Sequence, residues 1–150
     1  MSDAVLDRAL AETRPGATTA SVDSLGRGNR KRTEVVRFET APPVVVQRAV
    51  NPRRIRTEAA LLRALDERTD VPVPRPIGDG VADGTGWLVT PLIEGRDLHE
   101  AFVELRATEK RDIARAFGRY LGAVHEAFRF PACGRLAVAA DTDSVADPDE

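Results

Sequence analysis

The sequence predicts an α+β fold in which an antiparallel sheet carries one packed helix and is followed by further helices. In residues 20–95, short runs rich in β-branched side chains alternate with glycine- and proline-containing turns, which is typical of strands. Helical periodicity interrupts these strands once and then dominates residues 96–136. With 150 residues and a hydrophobic content of 42%, the chain has room for one domain-sized core.

We expect four segments along the chain. Residues 1–19 form an N-terminal helical segment, because the first residues are acidic and amphipathic. Residues 20–95 hold the sheet, its helix and a connector, and residues 96–136 hold the later helices. Residues 137–150 contain acids but no Lys or Arg and no apolar periodicity, which predicts a solvated acidic tail.

The first predicted element of the sheet is a hairpin formed by Ala20 to Leu25 and Thr33 to Phe38. Its turn contains Gly26 and Gly28, and glycines let backbone N–H groups approach an anion closely. Arg27, Arg30, Lys31 and Arg32 make the turn positive, so phosphate is one plausible guest, although a turn with two glycines is more often just a turn. No GK[ST] sequence follows, so this is not a Walker loop.

The next strand carries a basic residue toward one face of the sheet. Strand alternation places Val44, Val46 and Arg48 on the same side, so Val46 could cover an apolar ring while Arg48 reaches a charged group one pleat further on. Asn51 is a favoured helix cap and Pro52 a favoured first helical residue, which predicts a helix running to about residue 68.

Glu58 lies on the packed side of that helix, because it is three residues from Ile55 and four from Leu62. A carboxylate in that position requires a cation, and Arg48 is the predicted partner. The alternative is that Arg48 is an exposed strand residue and Glu58 a surface glutamate in a weak ion pair.

Beyond this helix, three prolines hold residues 71–76 extended, and an apolar strand that starts at Trp87 breaks at Pro91. Two helices are then predicted, a brief one from about Asp97 and a longer one from about Thr108, which is a capping residue. The second has apolar residues at helical spacing: Ile113, Phe117, Tyr120, Leu121, Val124 and Phe128.

The order of these features resembles the first half of the aminoglycoside phosphotransferase and choline kinase family. The resemblance covers about Ala20 to Leu136, and its most specific parts are the VPVPRPI segment and the WLVTPLIEGRDL connector. It implies a protein-kinase-like N-lobe, made of an antiparallel sheet plus one helix, followed by the opening helices of an incomplete C-lobe. Residues 20–95 would then be the nucleotide-binding N-lobe and hinge, and residues 96–136 the opening helices of the C-lobe.

The resemblance also implies which residues would contact ATP or GTP. A flap over the phosphates would contain Gly26, Gly28 and Asn29, and Arg48 would replace the lysine that is usual on its strand, paired with Glu58. The other implied residues belong to the adenine pocket. They are Val46 over the ring, Thr90 at the back, and the Pro91 carbonyl and Ile93 amide at the adenine edge.

The same resemblance implies that the histidine and aspartates of the catalytic and metal-binding loops follow the second helix, and no such loops occur within residues 1–150. We therefore assign no catalytic or metal-binding residue, and we expect this chain to be inactive alone. Mg²⁺ is expected for the family, but its ligands are not in this chain. The small-molecule acceptor is not identified by these residues.

The composition indicates the cellular compartment of the protein. Cys133 is the single cysteine, so an intrachain disulfide or a cysteine metal site is excluded and a reducing compartment fits. No apolar run approaches the length of a membrane helix, so we predict a cytoplasmic protein without a membrane partner.

Two other function classes stay open. A nucleic-acid-binding module could use the basic clusters between Arg27 and Arg56, but Phe38 is the only aromatic residue among them, which argues against stacking of bases. A non-catalytic protein could instead keep the nucleotide lobe as an interaction surface. The apolar face of the helix from Thr108 also predicts possible self-association.

Overall fold

A five-stranded antiparallel sheet in the order β1-β2-β3-β5-β4 forms the centre of the molecule. We analysed a computed structural model, which describes residues 3–25, 31–130, 133–138 and 145–146. The strands of the sheet are β1 (Thr19–Leu25), β2 (Arg32–Phe38), β3 (Val44–Ala49), β4 (Gly78–Ala82) and β5 (Thr85–Pro91). The helices are α1 (Ala4–Thr13), α2 (Pro52–Arg68), α3 (Leu98–Ala101) and α4 (Ala107–Ala127), with a 3₁₀ turn over Phe102–Glu104.

The predicted hairpin is confirmed, since β1 pairs with β2 in antiparallel register. β3 then lies between β2 and β5, so that Val45 is opposite both Val35 and Thr90. Each side of the sheet carries one helix, and the side chains of β3 are buried, except for Val45 and Gln47, which are half-buried.

The first face is covered by α1. Leu6 and Ala9 of this helix pack against Val44, Val46 and other apolar residues that point to the same side of the sheet. This cluster also contains Val36, Trp87 and Val89. The N-terminal helix is therefore an integral layer of the sheet domain, which its acidic, amphipathic sequence did not indicate.

The second face is covered by α2, and its predicted start and end are confirmed. The Asn51 side chain accepts from the Arg53 N–H at 3.1 Å, and Pro52 is the first helical residue. Ile55, Ala59 and Leu88 form the buried contact between helix and sheet, together with Ala49. Gly86 permits the close approach, since a Cβ there would lie 2.8 Å from the Pro52 Cα.

The later helices differ in part from expectation. The brief helix predicted from about Asp97 is confirmed as the single turn of α3, which Asp97 caps by accepting from the His99 N–H at 2.8 Å. The cap of α4 is Arg106, whose N–H donates to the Glu109 carboxylate at 2.7 Å, so the prediction of Thr108 as the cap is wrong. No described residue of α4 is buried, and Phe117 is 58% exposed.

The predicted acidic tail contains a short strand pair, β6 (Ala137–Val138) with β7 (Val145–Ala146). Ala137 and Val138 are buried, and the Val138 N–H donates to Oγ1 of Thr57 on α2 at 3.2 Å. The prediction of a solvated tail is wrong for these two residues, because apolar side chains at its start pack on α2. The division of the chain into four segments otherwise stays a prediction.

No helix within the described ranges combines the length and the apolar character needed to cross a membrane.

Candidate functional site

The α2 face of the sheet carries an apolar row of side chains next to a polar one. Val35, Val45 and Thr90 are aligned across β2, β3 and β5, and Thr33, Gln47 and Leu88 form the next row. Two residues of a strand span about 7 Å, so the rows are separated by that distance. Val45 and Gln47 are half-buried, whereas Val35 and Thr90 on either side of Val45 are buried, with 5% and 7% exposure.

A cluster of three polar side chains extends the polar row toward α2. We call Lys31, Gln47 and Glu58 the polar cluster. The Lys31 ammonium group is in contact with the Glu58 carboxylate and lies 3.5 Å from Oε1 of Gln47. Lys31 immediately precedes β2, and Glu58 lies on the second turn of α2, so three separate elements converge at this point.

The polar cluster is partly open to solvent, since the side chains of Lys31 and Glu58 are 22% and 31% exposed. Burial lowers the pKa of Lys31, and the positive charge of nearby Arg54 lowers it further. Lys31 and Arg54 together outweigh the single carboxylate of Glu58. The local excess of positive charge favours an anionic ligand.

The predicted pair between Arg48 and Glu58 is wrong. Alternation does place Val44, Val46 and Arg48 on one face, but this is the face that α1 covers, whereas Glu58 lies on the other. Arg48 pairs instead with the buried carboxylate of Glu34, and its Nη1 lies 2.5 Å from Oδ2 of Asp3. On β3 the residue that shares the face of Glu58 is Gln47.

Arg48 is the centre of an ion-pair network that fastens α1 to the sheet. Asp3 caps α1 by accepting from the Leu6 N–H, and Arg32 lies 3.0 Å from Oε1 of Glu34 on the outer side. Burial lowers the pKa of Arg48, but the ion pairs with Asp3 and Glu34 outweigh this effect and raise it. The Arg48 guanidinium therefore stays charged, and its ion-pair partners within the fold are Asp3 and Glu34. Val46, at 0% exposure, is likewise enclosed by the core under α1.

The network makes stability depend on pH through Asp3. The bond from Arg48 holds the pKa of this carboxyl below its ordinary value. A depressed folded-state pKa contributes stability that is present above the unfolded value of about 3.9 and is lost as the pH falls through the lower folded value. We expect Asp3→Asn, which keeps a capping side chain, to flatten the loss of stability below about pH 4.

Urea unfolding midpoints measured from pH 6 to pH 2.5 test this expectation. Asp23→Asn is the matched control, because Asp23 is an exposed carboxylate on β1, and this variant should follow the wild-type profile. An Asp3→Asn profile as steep as that of the wild type would show that Asp3 does not contribute.

The other predicted site residues lie at the end of β5 and in the hairpin turn. Thr90 shares the α2 face with Gln47, Pro91 ends β5, and Ile93 follows with 66% exposure. Gly26, Gly28 and Asn29 lie outside the described residues. The binding roles of all these residues stay predictions.

Lys31 and Gln47 belong to the candidate site, but the sequence analysis assigned neither of them an individual role. The available signal for Lys31 was its rarity, since Lys110 is the only other lysine in the chain. Within the part of the chain that the structure describes, no group of three His, Cys, Asp or Glu side chains could hold a metal ion.

Comparison with solved structures defines the class of fold. The chain is similar to the GDP and kanamycin complex of APH(2″)-IIIa, with a TM-score of 0.63, 18% identity, and coverage of 81% of this chain and 41% of that one. It is also similar to aminoglycoside phosphotransferase APH(4)-Ia, with a TM-score of 0.61, 13% identity, and coverage of 82% and 39%. The α+β fold is thus that of a kinase-like N-lobe with C-lobe helices, as predicted.

The family follows from the sequence itself. The model of the phosphotransferase enzyme family, APH, matches residues 24–145, and the chain belongs to this family. A further similar structure is a putative fructosamine-3-kinase from Haemophilus somnus 129PT, with a TM-score of 0.53, 20% identity, and coverage of 65% of this chain and 34% of that one. The chain spans less than half the length of each of these three proteins. No curated protein matches it.

Proposed function

We propose that this chain binds a purine nucleoside triphosphate on the α2 face of its sheet, as the nucleotide-binding part of a phosphotransferase that acts on a small-molecule hydroxyl. The observation that carries the proposal is the adjacency of the apolar row and the polar cluster on one face. A purine ring suits the row formed by Val35, Val45 and Thr90, and phosphates suit the polar cluster beside it.

Charge and family membership support this arrangement. Lys31 and Arg54 give the polar cluster a positive excess, which attracts phosphate oxygens. The family is one of phosphotransferases, and two similar structures are complexes with GDP and with AMP-PNP. We leave Val46 and Arg48 out of the proposed site, because the layer formed by α1 encloses both.

The choice between ATP and GTP is open in this proposal, and so is the acceptor. Two similar structures are complexes that contain kanamycin and hygromycin B, and neither compound is carried over to this chain as its acceptor. Phosphoryl transfer needs metal ions to neutralise the phosphate oxygens and a carboxylate to orient the acceptor. We propose that the family's catalytic loop supplies both functions.

Calorimetric titration with ATP, GTP, adenosine and tripolyphosphate tests the proposal. We expect saturable binding of one purine nucleotide that exceeds the binding of tripolyphosphate, because the apolar row recognises the base. Equal binding of all three polyphosphates, weakening steeply with salt, would contradict a nucleotide pocket and favour the basic nucleic-acid-binding alternative.

A further inference from the structure

The position on β3 that faces Glu58 holds an uncharged side chain. Gln47 lies opposite Thr33 and Leu88 on the α2 face, while the basic residue next to it, Arg48, points to the other face. An amide can donate to a phosphate oxygen but carries no charge to neutralise it. A phosphate site on this face therefore needs a cation from another element.

Lys31 is placed to supply that cation. It immediately precedes β2, two residues before Thr33, and its side chain therefore extends along the α2 face beside Gln47. Its ammonium group contacts Glu58, and 22% of the Lys31 side chain is exposed, so Lys31 is not enclosed within the core. A lysine with three rotatable donors can contact a carboxylate and a phosphate at once.

We propose that Lys31, rather than a residue of β3, is the cation that contacts the nucleotide phosphates, and that Glu58 positions it. The proposal rests on the proposed function. Glu58 holds the ammonium at the open end of the polar row, next to the amide of Gln47. A polyphosphate bound there gains attraction from both Lys31 and Arg54, which otherwise repel each other.

Binding by two ligands separates a phosphate contact from a structural role. We expect Lys31→Met to weaken ATP binding about ten- to a hundredfold, the range of one charge-assisted hydrogen bond, while adenosine affinity is unchanged. Lys31→Arg should recover part of the loss, because the charge is kept. Lys110→Met is the matched control, since Lys110 lies on α4 and is the only other lysine.

The outcomes are distinguishable. If the wild type binds neither ATP nor GTP, the proposed function and this inference both fail. If the wild type binds ATP and Lys31→Met binds it equally well, this inference fails while the proposed function stands. If Lys31→Met weakens ATP and adenosine by the same factor, Lys31 only supports the fold and the inference is again overturned.

Chemical labelling gives an independent test, because the chain has only two lysines. An acyl phosphate of ATP places its acyl carbon near the terminal phosphate. A neutral lysine amine attacks that carbon, an amide forms, and ATP leaves as the proton is released. We expect mass spectrometry to find the label on Lys31 and not on Lys110, with excess ATP preventing it. Equal labelling of both lysines, or labelling that ATP does not reduce, would overturn the inference.

Discussion

Arg48→Met is expected to lower the free energy of unfolding by about 3–5 kcal/mol. The variant removes the cation from a buried carboxylate, since Glu34 is 2% exposed, and leaves that charge to the partly exposed Arg32. It also removes the group that ties Asp3, the cap of α1, to the sheet. Urea unfolding followed by the fluorescence of Trp87, the only tryptophan, measures the loss.

Two comparisons show whether the loss comes from the buried charge. Arg37→Met is the matched control on the neighbouring strand, and it should cost less than about 1 kcal/mol, because the Arg37–Asp23 pair is exposed. Combining Arg48→Met with Glu34→Leu should recover much of the loss, since no carboxylate is then left buried without its partner. A double variant as unstable as the sum of its single variants would contradict this explanation.

The same variant distinguishes a structural arginine from a phosphate ligand. We expect the folded fraction of Arg48→Met to bind ATP like the wild type, because Arg48 lies on the face that α1 covers. Lys31→Met should show the opposite pattern, with a large effect on ATP and a small one on unfolding. The two basic residues thus have separable roles on opposite faces of one sheet.

Local sequence rules predicted most of the secondary structure. Asn51 and Pro52 determine where α2 begins because capping and a fixed φ are properties of single residues. The hairpin of β1 and β2 and the end of β5 at Pro91 follow from strand content and from the missing proline N–H. The cap of α4 was mispredicted because Arg106 has no capping preference and its N–H is satisfied by Glu109.

The candidate site was harder to predict, because strand periodicity does not show which face of the sheet packs against α1 and which packs against α2. Val44, Val46 and Arg48 were correctly placed together, but β3 is covered by a helix on each side. Apolar residues therefore occur on both faces, and no alternation distinguishes them. The packing of α1 determines which face of β3 is closed to a ligand. That packing depends on long-range contacts, which no local sequence pattern contains.

Lys31 was missed for a related reason. Lys31 contacts Glu58, which is far from it in the sequence, so no local pattern indicates the contact. The neighbours of Lys31 in the sequence are also basic, and the pattern therefore did not distinguish Lys31 from a solvated charge cluster. Thr90 was located correctly on the strand because a short apolar run ending in proline is a local signal. Sequence thus identified the elements of the site, whereas tertiary packing selected the side chains that meet.

Trp87→Ala is expected to cost about 3–5 kcal/mol of unfolding free energy, comparable to the loss of Arg48. Trp87 is 2% exposed and belongs to the core beneath α1. Its ring lies directly against Gly80, where a Cβ would come within 2.6 Å of Cζ2. β4 packs on this ring through Gly78 and Gly80, which have no side chains to fill the space that alanine would leave. Circular dichroism during urea unfolding measures the effect.

Two further variants show whether the stability loss of Trp87→Ala comes from the loss of a buried ring. Trp87→Phe should cost less than Trp87→Ala, because a ring still fills the core and the buried indole Nε1 has no hydrogen-bond partner among the described residues. Phe117→Ala removes an aromatic ring from α4, where 58% of the residue is exposed, and it should change stability by less than about 1 kcal/mol. A loss for Phe117→Ala as large as that for Trp87→Ala, growing with protein concentration, would instead show that a second copy covers α4, because association stabilises the folded state by mass action.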